Sequence, residues 1–518
     1  MRTRPPRPLS PLHEQLAPVS RLAGISLAGL ATVALFGCTV VGPDYKRPEV
    51  ALPTAWRAAQ PDAADVANTA WWEAFGDAEL NTYIATALEA NKDLLLATLR
   101  IEEFDARLQV SRAANYAQLG VDSAAQRQRY SEERPVLLPA SSSPSQNAFL
   151  FNGVITYELD LWGRVKRANE AARADLLATE EARRTVMLSL VSSVATSYMQ
   201  LLGLDQQLLL VRQALKNRED TLALAETKFQ GGSGTRLAVA QARSVVDEVA
   251  ATIPEIELQI STLENAMSSL LGGNPGTIRR RTLAALVLPA IPQGVPSDVL
   301  SRRPDVLAAE QALVSANARI GVAKAQYFPT ISLTGMLGVG SDDLKWITAN
   351  TARTGLIGAS ILAPIFTGGR IEGDVRQTEA VQKQMVVRYQ QAVQTALKET
   401  EDALVSRSKS GERSAAVGRQ VASLQEVAKL SRMRYEGGHS SFQEVLDAER
   451  QVYEAQSLQA LRQRDTYVAL ISVYKAMGGG WMVEQDKLRA PKAPSDKLVA
   501  APAAEAQVVA ATVQEAKR

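Results

Sequence analysis

Very few side chains in this 518-residue sequence could carry out covalent chemistry. There is one cysteine, Cys38, and there are two histidines, His13 and His439. One cysteine cannot form a disulfide within its own chain. Catalysis of the Ser-His-Asp or Cys-His kind needs an imidazole beside a nucleophile. His13 lies in a segment that reads as removed from the mature chain, and His439 sits in a Gly-rich turn with no evident partner. Zinc sites of the His/Cys type need three or four ligands that the sequence does not contain. Counting leaves room for an all-carboxylate magnesium site, but no motif points to one. The expectation is a protein that is not an enzyme and holds no metal or cofactor. What remains is a set of glycines and carboxylates at two turns: Gly231 and Gly232, Gly437 and Gly438, then Glu444 and Asp447 just past the second turn. At i and i+3 on a helix these two carboxylates share one face, which an ordinary solvated face would also do.

The formal net charge is +2, so nothing argues for nucleic acid, which calls for a clustered basic face. Hydrophobic residues make up 46% and aromatic residues only 5%, with long stretches dominated by Ala, Leu, Gln, Arg and Glu. That composition favours long helices and coiled coils. Beyond the N-terminus no run of about eighteen apolar residues occurs, so no spanning helix is expected in the mature chain.

Arg2, Arg4, Arg7 and Arg21 precede the apolar stretch Leu22–Phe36, which ends Leu35-Phe36-Gly37-Cys38. A basic region, a short apolar core and a small residue before the cut mark a secretory signal. A lone cysteine directly after that small residue resembles a bacterial lipobox, although Phe36 departs from the residue usual there. Cleavage would leave Cys38 first, carrying a diacylglycerol on its thiol; a plain signal peptide with a buried free cysteine is the other reading. Thr39, where inner-membrane lipoproteins often place Asp, favours the outer membrane by resemblance. Acyl chains contribute about 0.8 kcal/mol per buried methylene, so a multiply acylated cysteine anchors without a spanning helix.

The sequence is written twice. At a shift of 206, Gly163-Arg164 meets Gly369-Arg370, Phe229-Gln-Gly-Gly232 meets Tyr435-Glu-Gly-Gly438, and Leu271-Gly272-Gly273 meets Met477-Gly478-Gly479. Upstream the shift becomes 212: Asp93, Ala106-Arg107 and Val110 meet Asp305, Ala318-Arg319 and Val322. The six extra residues of the first copy belong in the Ser- and Pro-rich stretch Ser131–Ala148, since insertions collect in exposed loops. Each copy reads helix, strand, loop, strand, very long helix, tight turn, long helix.

The very long helices are expected over Val165–Phe229 and Arg370–Tyr435. At about 1.5 Å per residue each is a rod of roughly 100 Å. In the first, Met187, Val194, Leu201, Leu208, Leu215 and Leu222 recur every seven residues, with Leu190, Leu204, Val211 and Ala225 three later, interrupted by Ser197 and Arg218. That is an a/d heptad seam. A second stripe, Val191, Ala195, Tyr198, Leu202 and Leu209, calls for a second neighbour, as in a closed cylinder of helices or a broad bundle core.

Four stretches alternate as strands do. Phe149, Phe151, Gly153, Ile155 and Tyr157 form one face, and Ile331, Leu333, Gly335, Leu337 and Val339 another; Leu119–Tyr130 and Thr354–Phe366 complete the hairpins. Ten-residue strands with one apolar face suit a transmembrane barrel and a soluble sheet equally. Four strands cannot close a membrane barrel, whose smallest examples have eight. If these strands enter lipid, several chains must share one barrel, because an open edge there leaves backbone groups unpaired. Three chains would give twelve strands.

Val41-Gly-Pro-Asp-Tyr-Lys-Arg-Pro48, Trp71-Trp72-Glu-Ala-Phe75-Gly-Asp77-Ala-Glu-Leu80, Asn91-Lys-Asp93-Leu94, Tyr157-Glu-Leu-Asp160-Leu-Trp162-Gly163-Arg164, Pro364-Ile-Phe366-Thr-Gly368-Gly369-Arg370, Arg434-Tyr435-Glu-Gly437, Val445-Leu446-Asp447-Ala448 and Met477-Gly-Gly-Gly-Trp481 occur in this order. The set resembles the TolC-like outer-membrane efflux proteins, in particular the OprM/NodT lipoprotein branch, from Cys38 to Trp481. Ala117 stands where these proteins often place a proline, which Pro329 keeps in the second copy.

The resemblance implies a mainly α fold with a β-barrel portion. Two structural repeats, each a β-hairpin plus long coiled-coil-like helices, would form a homotrimer. Its twelve-stranded outer-membrane barrel would continue into a twelve-helix periplasmic barrel. It further implies a passive exit duct, lipid-anchored at Cys38 in the outer membrane. An inner-membrane transporter of the RND type and a periplasmic adaptor (membrane fusion) protein would dock at the turns of Gly231, Gly232, Gly437 and Gly438. Glu444 and Asp447 would ring the periplasmic aperture, concentrating cations there. Gln241 stands opposite Asp447 in the first copy, so the ring is not doubled; Arg243 stands opposite Glu449, inviting a pair between repeats. The domains read as 1–37 signal, 38–80 anchor segment, 81–273 first repeat, 274–297 linker, 298–481 second repeat and 482–518 disordered tail. A type I protein-secretion channel shares the fold and is the principal rival. A structural periplasmic coiled-coil lipoprotein is a second, disfavoured because a spacer needs no strands.

Overall fold

The computed structural model describes residues 40–57, 70–131, 145–291, 296, 301–478 and 481. Cys38 and the segment before it, most of the Ser- and Pro-rich loop, Gly479, Gly480 and the tail lie outside the described residues. The first repeat comprises α1 (Ala78–Ala90), α2 (Lys92–Ala113), β1 (Gln118–Arg129), β2 (Ser145–Leu159), α3 (Arg164–Gln230) and α4 (Arg236–Leu270). The second comprises α5 (Pro304–Ala325), β3 (Thr330–Ser341), β4 (Arg353–Leu362), α6 (Arg370–Glu436) and α7 (Phe442–Ala476).

Both ends of α6 and α7 are offset by 206 from those of α3 and α4. Both ends of α5 and β3 are offset by 212 from those of α2 and β1. The six-residue difference therefore falls between the end of β1 at Arg129 and the start of α3 at Arg164, where both the connecting loop and β2 are longer than their counterparts in the second repeat. At 67 residues each, α3 and α6 rise roughly 100 Å. The strands form one antiparallel sheet in the order β1-β2-β3-β4, leaving β1 and β4 as open edges.

The chain divides into two compact units. The first contains residues 40–48, Ile101–Ala178 and Ala309–Tyr389, hence the sheet and the helix turns next to it. Its N-terminal residues act as a strap. The Val41 N–H donates to the Trp162 carbonyl at 3.0 Å. Arg167, almost wholly buried, pairs with Asp44 at 2.7 Å and donates to the Gly42 carbonyl at 3.3 Å. Arg47 makes a bidentate pair with Glu310 at 2.6 and 2.7 Å, joined by the Tyr45 hydroxyl at 3.1 Å. The strand-to-helix corner is set by Trp162, whose indole N–H donates to the Pro329 carbonyl at 2.7 Å, and by Asp160, which accepts from the Lys166 N–H at 2.8 Å at the start of α3.

The second unit contains the main apolar core. Trp71 stacks on Tyr474 at 5.0 Å, and Trp72 meets Trp481 edge-on at 4.7 Å. Asp77 is fully buried. It caps α1 by accepting from the Glu79 and Leu80 N–H groups, and it accepts the Tyr198 hydroxyl at 2.7 Å. Asn91 likewise joins two helices: its carbonyl accepts from the Leu94 N–H, while its amide donates to the Leu270 carbonyl ending α4. In α3, both expected stripes are buried between Met187 and Leu202, whereas Leu209 is half exposed.

Candidate membrane-spanning sheet and helical tip

The pairing register sorts the sheet into two faces. Leu119 lies opposite Ile155, Ile155 opposite Gly335, and Gly335 opposite Ile357. Followed along the strands, that face contains Leu119, Val121, Phe149, Phe151, Ile155, Leu333, Leu337, Val339, Ile357 and Ile361. The opposite face contains Gln118, Asp122, Gln126, Asn152, Thr156, Glu158, Ser332, Thr334, Thr354 and Ser360, mixed with Leu150, Val154, Met336, Leu356 and Leu362. Among the described residues no helix is packed over the apolar face: Leu337 is 76% exposed and Ile357 96%. A soluble sheet buries its apolar face and wets the other. This sheet leaves its apolar face bare, which favours the membrane reading of the two that alternation left open. Its strands of 10 to 15 residues are long enough to cross the hydrocarbon core at a tilt.

At the far end of the long helices, within the second unit, two tight turns reverse the chain. Gly232 and Gly438 have φ of 75° and 77°, left-handed values that a side chain resists. The Gly234 N–H donates to the Lys228 carbonyl at 2.9 Å, and the His439 N–H to the Arg434 carbonyl at 2.8 Å, closing the ends of α3 and α6. Thr235 then caps α4 through the Ala238 N–H, and Ser441 caps α7 through the Glu444 N–H. Ser441 and Glu444 thus have the spacing of a capping box, a structural reason for an acid at that position. The two turns touch: the Lys228 ammonium lies 4.6 Å from the centre of the Tyr435 ring.

Gly231, Gly232, Gly437 and Gly438 are all exposed at these turns. Glu444 is exposed and has no ion-pair partner among the described residues. Asp447 is half-exposed; it accepts from Gln443 at 3.3 Å and lies 3.8 Å from Arg450, which weakens it as a free charge. His439 is exposed, and among the described residues no cluster of three metal-ligating side chains occurs.

Sequence reasoning missed the charge centre of this tip. Arg243 does not reach Glu449; it pairs with Glu226 in its own hairpin at 2.7 Å. Glu449 pairs with Arg432 in its own hairpin at 2.5 Å. These are the same two repeat positions with their charges exchanged. The link between repeats is made instead by Arg218, which pairs with Glu449. Arg218 is 5% exposed, and burial lowers its pKa. It occupies a heptad position whose counterpart in the second repeat is Leu424; the only signal in the sequence was the break in the apolar seam. A groove of about 620 Å³ lies beside it, lined by Lys228, Arg432, Tyr435, Phe442 and Tyr453.

The sequence pattern of the family described as "Outer membrane efflux protein" matches residues 83–273 and 295–479. The chain belongs to the outer membrane efflux protein family. Among its relatives, the cation efflux system protein CusC of Escherichia coli O157:H7 is 35% identical over 459 residues, covering 87% of this chain and 97% of CusC. The solvent efflux pump outer membrane protein SrpC of Pseudomonas putida is 32% identical over 471 residues, covering 89% and 99%. The probable outer membrane lipoprotein SilC of Salmonella typhimurium is 31% identical over 465 residues, covering 88% and 99%. Among solved structures, CusC matches with a TM-score of 0.77 at 33% identity, covering 85% of this chain and 100% of that one. The open state of the MtrE outer membrane channel of Neisseria gonorrhoeae matches with a TM-score of 0.78 at 29% identity, covering 86% and 99%. This outer membrane efflux protein is therefore a TolC-like channel of the outer membrane. It works with an adaptor and an inner-membrane transporter.

Proposed function

We propose that three copies of the chain close into a single duct: a twelve-stranded barrel in the outer membrane and a cylinder of long helices in the periplasm. The observation that carries this is the sheet. Its apolar face is bare and both edge strands are unpaired, and an open edge in hydrocarbon costs several kcal/mol per unsatisfied backbone group. Pairing β4 of one copy with β1 of the next removes every edge. Cys38, acylated after removal of residues 1–37, anchors each copy. The turns at Gly231–Gly232 and Gly437–Gly438 face the adaptor, and the transporter behind it is of the RND type.

The duct is passive. Relatives are named for cations and for solvents such as toluene, so a common conduit with selection by the transporter accounts for the range. Glu444 and Asp447 line the periplasmic aperture, with Glu444 the stronger charge because Arg450 stands beside Asp447. Purified protein in a planar bilayer tests this reading. It should insert as discrete, voltage-stable conductance steps from a particle of three chains by native mass spectrometry. A folded single chain without conductance would refute it.

A further inference from the structure

The apolar face of the sheet carries charge at one end only. Strand register places Arg127 and Arg129 of β1 and Arg353 of β4 on the same face as Leu119, Phe151 and Ile357. All three arginines lie at the loop end, opposite the end where β2 leads into α3. The strands' acidic side chains, Asp122 and Glu158, are on the other face. All three guanidinium groups are exposed, and none has an ion-pair or hydrogen-bond partner among the described residues. Of the described loop carboxylates, Asp343 is taken by Lys345 at 2.8 Å and Asp342 lies past the end of β3; Glu132 and Glu133 lie outside the described residues.

A recess lies under this charged rim. Phe151, Val339 and Arg353 form a row across β2, β3 and β4. The next row down is Gly153, Leu337 and Gly355, so Leu337 has no side chain on either flank. Beside this row is an open recess of about 410 Å³ lined by Phe151, Leu337, Gly338, Val339, Arg353 and Thr354. It is apolar below and cationic at its lip.

We propose that this loop-end rim binds the phosphate groups of the phosphorylated glycolipid in the outer leaflet, with an acyl chain lying in the recess beneath Arg353. An arginine on a lipid-facing strand is costly at mid-membrane and nearly free at the interface, so these side chains belong at headgroup depth. The guanidinium fork matches phosphate oxygens in a bidentate manner. Among the described residues the protein provides no counter-ion, and on this face headgroups provide one. The inference rests on the reading that the sheet crosses the outer membrane with its helix end inward. Closure by further copies strengthens it, because the edge strands bring Arg353 of one copy toward the next copy's β1, which bears the other two arginines.

The test is native mass spectrometry of the full-length protein in mild detergent with two probes: bis-phosphorylated lipid A and the same lipid with both phosphates removed. One arginine at an anionic lipid surface is worth roughly fivefold in affinity, so three predict a preference on the order of 100-fold. Arg127→Gln/Arg129→Gln/Arg353→Gln should reduce the preference to about threefold or less, the Lys triple variant should keep most of it, and Arg353→Gln alone should lose roughly fivefold. Val339→Trp, which enlarges a lining side chain to fill the recess, should reduce retention of both lipids alike. A wild type indifferent to phosphate, or a Gln triple that keeps the preference, overturns the proposal and means the rim meets water. If the triple variant does not assemble, the single variant and the wild-type comparison still decide. Conductance of the same preparations is scored in parallel: wild type that conducts but ignores phosphate sinks only this proposal, whereas wild type that does not conduct sinks the membrane reading itself.

Discussion

Glu449 and Arg218 should respond to substitution very unequally, although they are partners. Glu449 accepts from two guanidinium groups, Arg218 across the repeats and Arg432 within its own hairpin. Arg218 is 5% exposed and Arg432 about half exposed. Glu449→Ala leaves Arg218 a buried cation with only the field of Glu248 to offset it, a defect at the low end of the range for a broken buried pair, about 3 kcal/mol. Arg218→Met leaves Glu449 still paired with Arg432 and fills the seam with a side chain of similar length, so it should cost about 1 kcal/mol or less. Arg218→Met/Glu449→Leu should recover most of the loss, because both charges are gone. Local opening reports this better than a melting curve, which the sheet and the main core would dominate. Amide hydrogen exchange in α4 and α7 near the turns should accelerate roughly 100-fold in Glu449→Ala and severalfold at most in Arg218→Met. Equal acceleration in the two single variants, or none in Glu449→Ala, would show that Glu449 does not neutralise a buried Arg218.

Three further outcomes are expected. Intact-mass analysis of membrane-extracted protein should find lipid on an N-terminal Cys38; an unmodified thiol or another N-terminus would remove the anchor. Divalent cations added on the periplasmic side should reduce single-channel current, with Glu444→Gln relieving more of the block than Asp447→Asn; identical responses in wild type and both variants would make this an ordinary solvated face. Stability should fall as pH rises above about 10, the ordinary tyrosine pKa. Burial and the Asp77 hydrogen bond raise Tyr198, and burial pushes Tyr474 up to about 12. A group whose folded pKa is raised gives stability that is complete below the unfolded pKa and drains away above it. Tyr198→Phe should therefore flatten the alkaline slope of the melting temperature; an unchanged slope would show that Tyr198 does not contribute.

The repeat carried most of the architecture. The two very long helices and the four strands were located to within a few residues, because turn glycines and strand alternation are local signals. Alternation could not say which medium met the apolar face. That depended on whether anything covers Ile357 and Leu337, a fact of tertiary structure. The second stripe of α3 was right where the core covers Val191, Tyr198 and Leu202 and open at Leu209. The tip charges were misread because like repeat positions suggested Arg243 with Glu449, whereas the short span between antiparallel helices of one hairpin made each pair locally. The Arg218 contact joins residues 231 apart in sequence, beyond the reach of any spacing rule. The strap residues Asp44 and Arg47 were legible only as part of a motif; their partners Arg167 and Glu310 came from the fold.

In the shared barrel β4 of one copy pairs with β1 of another until the sheet closes. Disulfide trapping tests it directly, since a bridge forms only when Cα atoms come within about 7 Å. One cysteine is fixed at Ile357 on β4, and a second is placed in turn at Leu119, Val121, Ser123 or Ala125 on the same face of β1. Within one chain these edges are separated by β2 and β3. On oxidation in native membranes, at least one pairing should give a covalent ladder that stops at three chains. No intermolecular bridge at any position, or a ladder that runs past three, would contradict a barrel shared by three copies.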